Sequence, residues 1–467
     1  MKQYYDFLVI GGGPAGTPTA MALASAGKQV LLVENGRGLG GTCLFEGCIP
    51  SKILRESARR LRELRESMDF GLCLPTQDVH IDWYAIQERK RAILQQRSTA
   101  AMQHLQQFPS LELVLGSAKL LDNKHANISS HAGEIQNIEF DKAIIATGST
   151  PTRPPIKGID HPRVLDSDAI LDIDHIPKKL LIIGAGPIGV ELGQIFNTFG
   201  SEVSILEAGS HILGPVDQEL AKRLKQQISS DGINISTNCQ ISGILTTGGG
   251  VFVEYKNDEG ESTHLLTETV LLATGRQPNI EGLGLENTEV QHGIHGIEVN
   301  SQLQTSEANI YAVGDVIGQP MFAHWATAQG VALAKNLLGK AVPLPDKNSN
   351  SAVIFSEPEI GMVGMAEAQA VDADIEYDVA RYDFAQDARA QIAGRDNGIL
   401  KILYEKQSHK LIGVHALVKG ADDLMGEAAL AVKAGLTLEA LAGAIHPHPT
   451  LTESFGVAAR VALAANK

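Results

Sequence analysis

The sequence predicts an α/β protein in which two copies of one strand–turn–helix–strand unit precede a C-terminal α+β domain. Three observations lead to this prediction. Apolar runs typical of buried parallel strands end in glycine-rich turns at two places. Each turn leads into a helix-forming run and then into a second strand that ends in an acidic residue. The chain beyond residue 348 repeats neither turn.

The first copy occupies the N-terminus. Residues 7–10 form a strand, residues 19–26 a small-residue helix, and residues 29–33 a second strand. In such a turn one glycine makes the bend, one lets the backbone approach a pyrophosphate, and one lets the helix pack on the strand. The helix N-terminus then faces the phosphates. The candidate dinucleotide-binding residues are Gly11, Gly13, Gly16 and Glu34.

The second copy repeats this order from residue 180 to residue 207. The candidate residues are Gly184, Gly186, Gly189 and Glu207. The first glycine and the acid are 23 residues apart in both copies. One such motif alone is a weak signal, but two in matching contexts predict two Rossmann-like dinucleotide-binding domains.

Each copy closes with a buried strand and a Thr-Gly turn, at Gly148 and at Gly275. A further strand over residues 310–313 runs into Gly314 and Asp315, and we expect it to complete the first domain. The second domain is therefore inserted in the first. The predicted boundaries are 1–149 and 277–347 for the two parts of the first domain, 150–276 for the second, and 348–467 for the last.

Between these landmarks the pattern predicts amphipathic, solvent-facing helices over residues 51–67 and 83–107. Residues 343–351 are rich in Pro and Asn, which is typical of a linker. The last domain combines strands with alanine-rich helices: strands over 352–355, 399–404 and 411–418, helices over 421–434 and 454–465.

Composition limits the classes of function. The chain has 467 residues, 43% of them hydrophobic, and a net charge of −15 without a basic block. Extended disorder and nucleic-acid binding are therefore not expected. No apolar run approaches the ~18 residues of a membrane helix, and we expect neither a membrane span nor a signal peptide. Four cysteines fit a reducing, cytoplasmic setting better than a secreted disulfide framework.

Two of these cysteines, Cys43 and Cys48, lie five residues apart just after the first nucleotide motif. In an ideal helix this spacing separates Cα atoms by roughly 8–9 Å, beyond the ~7 Å reach of a disulfide. Gly47 and Pro50 are able to distort the segment enough for a reducible pair to form. Two independent reduced cysteines remain the alternative. Cys73 and Cys239 stand alone and are expected to be small buried or neutral residues.

The sequence resembles the FAD-dependent pyridine nucleotide–disulfide oxidoreductases in three features. These are the two glycine turns, a C-terminal His-Pro-Thr-x-x-Glu, and the segment Gly41-Thr42-Cys43 to Gly47-Cys48-Ile49-Pro50-Ser51-Lys52. Within that family the dihydrolipoyl dehydrogenases are most similar. The resemblance runs from about Tyr5 to Phe455. It implies FAD on the first copy, NAD on the second, and a homodimer formed by the C-terminal domain.

The resemblance also assigns roles to residues. It implies that Cys43 and Cys48 form the redox-active disulfide. It also implies that Thr42, Gly148 and Asp315 bind FAD together with the residues of the first motif. Gly275 joins the second motif. Lys52 and Glu191 resemble an ion pair beside the flavin. His448 becomes the acid–base group, oriented by Glu453 and acting on the disulfide of the opposite subunit.

Some alternatives stay open at His446, His448 and Glu207. A zinc site at His446 and His448 lacks a further ligand cluster, so no metal is expected, and a structural role for His448 is the other alternative.

Glu207 favours NAD because a carboxylate binds the ribose 2′-OH and repels a 2′-phosphate. The residues that follow it, Ala208-Gly209-Ser210, include no arginine to hold that phosphate.

The expected reaction is oxidation of a dihydrolipoyl dithiol by NAD⁺, on a lipoyl-bearing acyltransferase of a 2-oxo acid dehydrogenase complex or on a free lipoyl compound. Another NAD(P)H-dependent disulfide or quinone reductase, and a non-catalytic flavin-binding protein, are the alternatives. Phe45, Glu46 and Trp325 depart from the family pattern. Glu46 is expected to disfavour anionic disulfides and to raise the pKa of Cys43.

Overall fold

The computed structural model describes residues 1–73, 79–247 and 250–465. The N-terminal elements are β1 (Tyr4–Ile10), α1 (Gly16–Ser25), β2 (Val30–Glu34), α2 (Gly41–Phe45), α3 (Cys48–Arg65), α4 (Trp83–Leu105), β3 (Leu111–Leu120), β4 (His125–Ser130), β5 (Ile135–Ile145) and β6 (Ser149–Pro151). The helix predicted from residue 51 thus begins three residues earlier, and Cys48 is its first residue.

The middle of the chain forms β7 (Val164–Asp166), β8 (Lys179–Ile183), α5 (Pro187–Thr198), β9 (Glu202–Leu206), α6 (Gln218–Ser230), β10 (Asn234–Ser236), β11 (Gln240–Thr247), β12 (Gly250–Lys256), β13 (Ser262–Thr267), β14 (Thr269–Leu272) and β15 (Arg276–Pro278). Strands β8, β9 and β14 and helix α5 confirm the elements predicted for the second copy. The antiparallel strands β11 to β13 were not predicted.

The remaining elements are β16 (His292–Gly293), β17 (Gly296–Ile297), β18 (Ile310–Ala312), α7 (Ala323–Leu337), β19 (Ser351–Ile354), β20 (Ile360–Gly364), α8 (Glu367–Asp372), β21 (Tyr377–Asp383), α9 (Ala388–Ile392), β22 (Ile399–Glu405), β23 (Leu411–Leu417), α10 (Ala421–Lys433), α11 (Leu438–Gly443) and α12 (Glu453–Ala465). Short 3-10 turns cover Ser67–Phe70, Ala169–Asp172, Leu285–Asn287, Gly314–Ile317, Lys347–Ser349 and Phe384–Gln386.

The chain folds into two compact units. The first contains Met1–Arg153, Leu165–Ile176 and Thr274–Pro345. The second contains Pro154–Val164, Pro177–Ala273 and Asp346–Lys467. The four-part division of the sequence stays a prediction, because each unit combines segments of more than one predicted domain.

The first unit is built on a parallel sheet with β1 at its centre. Strand β1 pairs with β2 on one side and β5 on the other, and β5 pairs with β18, which confirms that the strand over residues 310–312 completes this sheet. Leu8 and Val9 of β1 are fully buried on opposite faces. A side chain of this size buried in this way contributes about 1.5–3 kcal/mol. The antiparallel strand β4 joins the long strands β3 and β5.

The second unit repeats the parallel arrangement. Strand β8 pairs with β9 and β14, and β9 pairs with β10. The strand order β10-β9-β8-β14 in this sheet matches the strand order β3-β2-β1-β5 in the first unit. The same unit contains the antiparallel sheet β19-β20-β23-β22-β21, whose core packs against α10, α11 and α12. In the described part of the chain, no helix has the length and hydropathy to cross a bilayer.

One helix departs from its predicted character. Helix α4 is not simply solvated, because it buries Gln87 and Lys90 along one face. The Lys90 ammonium, 1% exposed, binds the Leu171 carbonyl and lies 2.6 Å from Asp172 Oδ1. Burial lowers the pKa of Lys90 despite this carboxylate. The helix therefore holds the segment around residue 172 through polar contacts that its sequence pattern does not reveal.

Candidate active site

The first glycine turn is closed by direct backbone contact. Gly11 adopts φ of +105°, and its N–H donates to the Val33 carbonyl at 2.8 Å. A Cβ on Gly16 would lie only 1.8 Å from the Gly11 carbonyl oxygen. Only glycine allows helix α1 to start this close to the end of β1.

The second turn has the same geometry. Gly184 adopts φ of +106°, and its N–H donates to the Leu206 carbonyl at 2.8 Å. A Cβ on Gly189 would lie 2.0 Å from the Gly184 carbonyl oxygen. The two motifs are thus equivalent in structure as well as in sequence.

The acid of each motif binds back to its own turn. Glu34 accepts backbone N–H bonds from Gly12 and Gly36, both at 2.5 Å. Glu207 accepts the corresponding bonds from Ala185 and Gly209, both at 2.6 Å. Each carboxylate is therefore held at the end of its second strand, where sequence reasoning expected a ribose.

Four glycines of the two copies face space that protein atoms leave open. A Cβ built on Gly148, Gly186 or Gly275 meets no atom within 4 Å, and one on Gly13 meets only the Cα of Gly41, at 3.8 Å. Neither α1 nor α5 has a side-chain cap at its N-terminus. Open space in front of uncapped N–H groups is what a pyrophosphate requires.

The cysteine segment is attached to the first turn. The Gly40 N–H donates to the Gly12 carbonyl at 3.0 Å. A Cβ on Gly41 would lie 2.8 Å from the Cα of Gly13, so helix α2 begins in contact with the nucleotide turn. This contact fixes the position of the cysteines relative to the first dinucleotide site.

A break at Gly47 brings the cysteines together. Cys43 lies in α2 and Cys48 begins α3, so the spacing of one ideal helix does not apply. A Cβ on Gly47 would lie 3.1 Å from the Thr42 carbonyl oxygen, which shows how tightly the segment folds back. The two cysteine side chains are close enough for Cys48 to dominate the pKa of Cys43. Cys43 is half-buried, whereas Cys48 is exposed at the N-terminus of its helix, a position that favours a thiolate.

The pKa of Cys43 is raised, as expected, but Glu46 is not among its largest causes. The hydrogen bond with Cys48 is the largest cause, followed by burial, while the charges of Lys52 and Arg97 lower the pKa. Glu46 was expected to raise it, but its carboxylate faces Arg37, 3.7 Å away. The Arg37 guanidinium also lies 5.7 Å from the centre of the Phe45 ring.

Arg37 belongs to a line of alternating charges. It lies 3.9 Å from Asp172, which in turn binds Lys90. The pKa of Glu46 is raised by burial and by Asp168. Phe45 and Glu46, two of the four residues between the cysteines, therefore contact Arg37, which in turn faces Asp172 from a distant part of the sequence.

Asp315 lies in a second polar group of the first unit. Ser149 Oγ donates to Asp315 Oδ2 at 2.7 Å, and burial raises the pKa of Asp315. The Arg276 guanidinium donates to Ser149 and lies 3.2 Å from Asp168. Sequence reasoning missed Arg276 and Ser149, although both directly follow the glycines that close the two copies. Trp325, a departure from the family pattern, is buried in α7.

The second unit presents the predicted imidazole–carboxylate pair. His448 Nδ1 lies 3.1 Å from both carboxylate oxygens of Glu453, the first residue of α12. The Thr450 N–H and His448 lower the pKa of Glu453. His448 is 74% exposed, so its Nε2 is open to a reactant.

The cysteine pair, Thr42 and Lys52 lie in the first unit, whereas Glu191 and His448 lie in the second. Glu191 accepts the Phe355 N–H at 2.9 Å. The Lys52–Glu191 ion pair and the action of His448 on the cysteines stay predictions. Among the described residues, no group of three or more His, Cys, Asp or Glu side chains is arranged to hold a metal.

Comparison with known families gives two matches that together cover most of the chain. Residues 5–330 match the family described as pyridine nucleotide-disulphide oxidoreductase. Residues 350–459 match its dimerisation domain. Both matches confirm the predicted fold class, in which two dinucleotide-binding domains precede a dimerisation domain.

Individual proteins are similar over almost their full length. The dihydrolipoyl dehydrogenase of Geobacillus stearothermophilus is 36% identical over 98% of this chain and 96% of that protein. The mitochondrial dihydrolipoyl dehydrogenase of Pisum sativum is 34% identical over 97% of this chain and 90% of its own. Among solved structures, the Cu(II) complex of HOCl-induced flavoprotein disulfide reductase RclA from Escherichia coli has a TM-score of 0.88 at 28% identity, covering 99% of this chain and 100% of that one.

Proposed function

Because the chain belongs to the pyridine nucleotide–disulphide oxidoreductase family, we propose that it is a dihydrolipoyl dehydrogenase that oxidises a dihydrolipoyl dithiol with NAD⁺. Its cofactors are FAD and NAD. The observation that carries the proposal is the contact between Cys43 and Cys48 in a segment folded onto the first dinucleotide turn. Two neighbouring cysteines in this position are the pair that would form the disulfide that this reaction needs.

The dithiol half-reaction uses the two cysteines in unequal roles. In the disulfide form, a substrate thiolate attacks Cys43 Sγ, the Cys43–Cys48 bond breaks, and Cys48 leaves as a thiolate. The second substrate thiol then attacks the substrate sulfur bonded to Cys43. The substrate leaves as a disulfide, and the protein keeps two electrons as two reduced cysteines. Cys48 is suited to be the leaving group because it lies at the start of an 18-residue helix.

The protein groups around the cofactors serve the transfer that follows. When bound, FAD would supply the acceptor for the electron pair of the reduced cysteines and the hydride donor for NAD⁺. Gly11, Gly13, Gly16 and Glu34, with Thr42, Gly148 and Asp315, would hold FAD. Gly184, Gly186, Gly189, Glu207 and Gly275 would hold NAD. Lys52 and Glu191 would act beside the flavin.

His448 is the proposed base. Its Nδ1 is held by Glu453, so the second nitrogen is free to accept a proton from a substrate thiol. Glu453 then stabilises the imidazolium. In this proposal His448 acts on the disulfide of the opposite subunit, for which the dimerisation domain is the structural basis.

The proposed partners follow from this chemistry. The protein works as a homodimer on a lipoyl group, either free or carried by the acyltransferase of a 2-oxo acid dehydrogenase complex. We place it in the cytoplasm, because four cysteines in a chain of this length fit a reducing setting better than a disulfide framework.

A different disulfide reductase is the second candidate. The 28% identity to RclA over nearly the whole chain supports it, as do Phe45 and Glu46, which depart from the family pattern between the cysteines. A quinone reductase on the same scaffold belongs to this alternative. A flavin-binding protein without activity is disfavoured by the intact cysteine contact and the His448–Glu453 pair.

Steady-state assays separate these candidates. The proposal predicts a much higher kcat/KM for dihydrolipoamide with NAD⁺ than for oxidised glutathione or a quinone with NADPH. The reverse order would replace it with the second candidate. No turnover with any of these substrates, in FAD-loaded protein, would favour the inactive flavin-binding protein.

A further inference from the structure

The loop between α11 and α12 carries a second imidazole–carboxylate pair, two residues before the proposed base. His446 Nε2 lies 2.8 Å from Glu427 Oε1 on helix α10. Because a carboxylate only accepts, Nε2 donates this bond, and it is not available as a base. His446 is 11% exposed, against 74% for His448. The two histidines of one loop therefore have different surroundings.

The second nitrogen of His446 faces helix α12. A Cβ built on Gly456 would lie 3.4 Å from His446 Nδ1 and 3.0 Å from a guanidinium nitrogen of Arg460. Gly456 is three residues after Glu453, so it lies one turn further along the helix that orients His448. The imidazole of His446 thus fills the space between α10 and α12.

The rest of the loop is closed mainly on itself. The Thr450 hydroxyl donates to the Pro447 carbonyl at 2.7 Å, and the Thr450 N–H donates to Glu453 at 3.0 Å. The Leu451 side chain packs against the core. These contacts hold residues 447–453 against the start of α12. His446 holds the N-terminal end of the loop, its entry side, against α10.

We propose that His446, held by Glu427, is a positioning residue that fixes His448 for proton transfer in the dithiol half-reaction. This inference rests on the proposed function. Loss of the His446 bond frees the entry side of the loop, so the exposed imidazole of His448 samples positions away from the substrate thiol. A displacement of about 1 Å at a reacting group lowers the reaction rate by up to roughly 10²-fold. The reaction of NADH with the flavin does not use His448, so it should not change.

The test compares both half-reactions in the FAD-loaded dimer. His446→Phe keeps a ring but loses the donor, whereas His446→Gln keeps an N–H able to reach Glu427. We expect His446→Phe to slow flavin reduction by dihydrolipoamide about tenfold or more and to leave reduction by NADH unchanged. His446→Gln should restore most of the dithiol rate. His409→Phe is the matched control, because it breaks another His–Glu pair of the same unit, to Glu439 at 2.6 Å.

Three outcomes would overturn the inference: an unchanged dithiol rate in His446→Phe, an equal slowing of both half-reactions, or no recovery in His446→Gln. Gel filtration and flavin content identify a variant that fails to assemble. If His446→Phe fails in this way, His446→Gln decides: a dithiol rate near that of wild type supports the positioning role, and a large loss overturns it.

The proposed function and the positioning role fail in different ways. If the wild type itself does not react with dihydrolipoamide, the proposed function is wrong. The same comparison of variants with dithiothreitol then decides the positioning role, and a wild type inert to both dithiols refutes it.

Discussion

Glu207 accepts the backbone N–H of Ala185 at 2.6 Å, across the 22 residues that separate the acid from the second glycine turn. The carboxylate thus has two tasks: it holds the turn, and it is the proposed partner of the ribose. Glu34 makes the equivalent bond to Gly12 at 2.5 Å. A substitution that removes the whole carboxylate therefore disturbs the turn as well as the cofactor preference.

Glu207→Gln removes the charge and keeps one of the two backbone hydrogen bonds, because its single amide oxygen accepts the Ala185 N–H while its NH₂ group faces the Gly209 N–H. We expect the preference for NADH over NADPH to fall about tenfold, equivalent to ~1.4 kcal/mol of lost repulsion. The ratio of kcat/KM values for the two nucleotides measures this. Glu34→Gln is the matched control in the first motif and should leave the ratio unchanged. A ratio unchanged in Glu207→Gln would place the discrimination elsewhere.

The repeated glycine motif made the two dinucleotide folds predictable, because its spacing reflects a local geometry. Gly11 and Gly184 have nearly the same φ, and the four strands β3-β2-β1-β5 of the first sheet follow the same order as β10-β9-β8-β14 of the second. What could not be predicted are contacts between segments distant in sequence. The place of Lys90 against the carbonyl of Leu171 is one example, since nothing in an amphipathic pattern identifies a buried ammonium.

The candidate site shows the same limit. The imidazole–carboxylate pair of His448 and Glu453 follows from a local motif, and the structure shows it. Arg37, which faces Glu46, lies in an ordinary glycine-rich loop with no signal of its own. The raised pKa of Cys43 was predicted, but its largest cause, the hydrogen bond with Cys48, was not.

A pair of glycine substitutions tests whether the second turn cradles the nucleotide. In Gly186→Ala the new methyl meets no protein atom within 4 Å, so stability should change by less than about 1 kcal/mol. The KM for NADH should nevertheless rise about tenfold or more, because the methyl would meet the pyrophosphate. Gly189→Ala places its Cβ 2.0 Å from a carbonyl oxygen and should cost about 3 kcal/mol in stability. An unaltered KM in Gly186→Ala would contradict this location of the nucleotide.

Lys401 is a buried cation that links α6 to the C-terminal sheet. Its ammonium is 2% exposed and lies 2.5 Å from both Asp217 and Glu367. Lys401→Met leaves the buried Asp217 without its cation, whereas Glu367 keeps Arg381 at 3.6 Å, and we expect a loss of about 3–5 kcal/mol in the free energy of unfolding. Urea denaturation of the FAD-loaded dimer measures it. Lys222→Met, on the exposed side of α6, is the control. Equal midpoints for both variants would show that the buried network adds no stability.

Glu46 offers a test of substrate charge. Its side chain is 42% exposed, and a negative charge there disfavours an anionic disulfide. Glu46→Gln should raise kcat/KM for oxidised glutathione about fivefold, equivalent to ~1 kcal/mol, without a change for neutral lipoamide.

The pH dependence of this discrimination has a defined sign. Burial and Asp168 raise the pKa of Glu46, so the carboxylate is neutralised at a higher pH than an ordinary glutamate. Wild-type discrimination against glutathione should therefore weaken as the pH falls through this raised pKa, whereas Glu46→Gln should show no such change. The same pH profile in both proteins would mean that another group sets the preference.

The most direct test of the cysteine pair follows flavin absorbance after anaerobic mixing of the FAD-loaded enzyme with dihydrolipoamide. We predict that Cys48→Ser keeps its FAD and is reduced by NADH, but is no longer reduced by the dithiol. Cys73→Ser, which removes an exposed cysteine away from the pair, should behave like wild type. Reduction of Cys48→Ser by dihydrolipoamide at the wild-type rate would contradict the account.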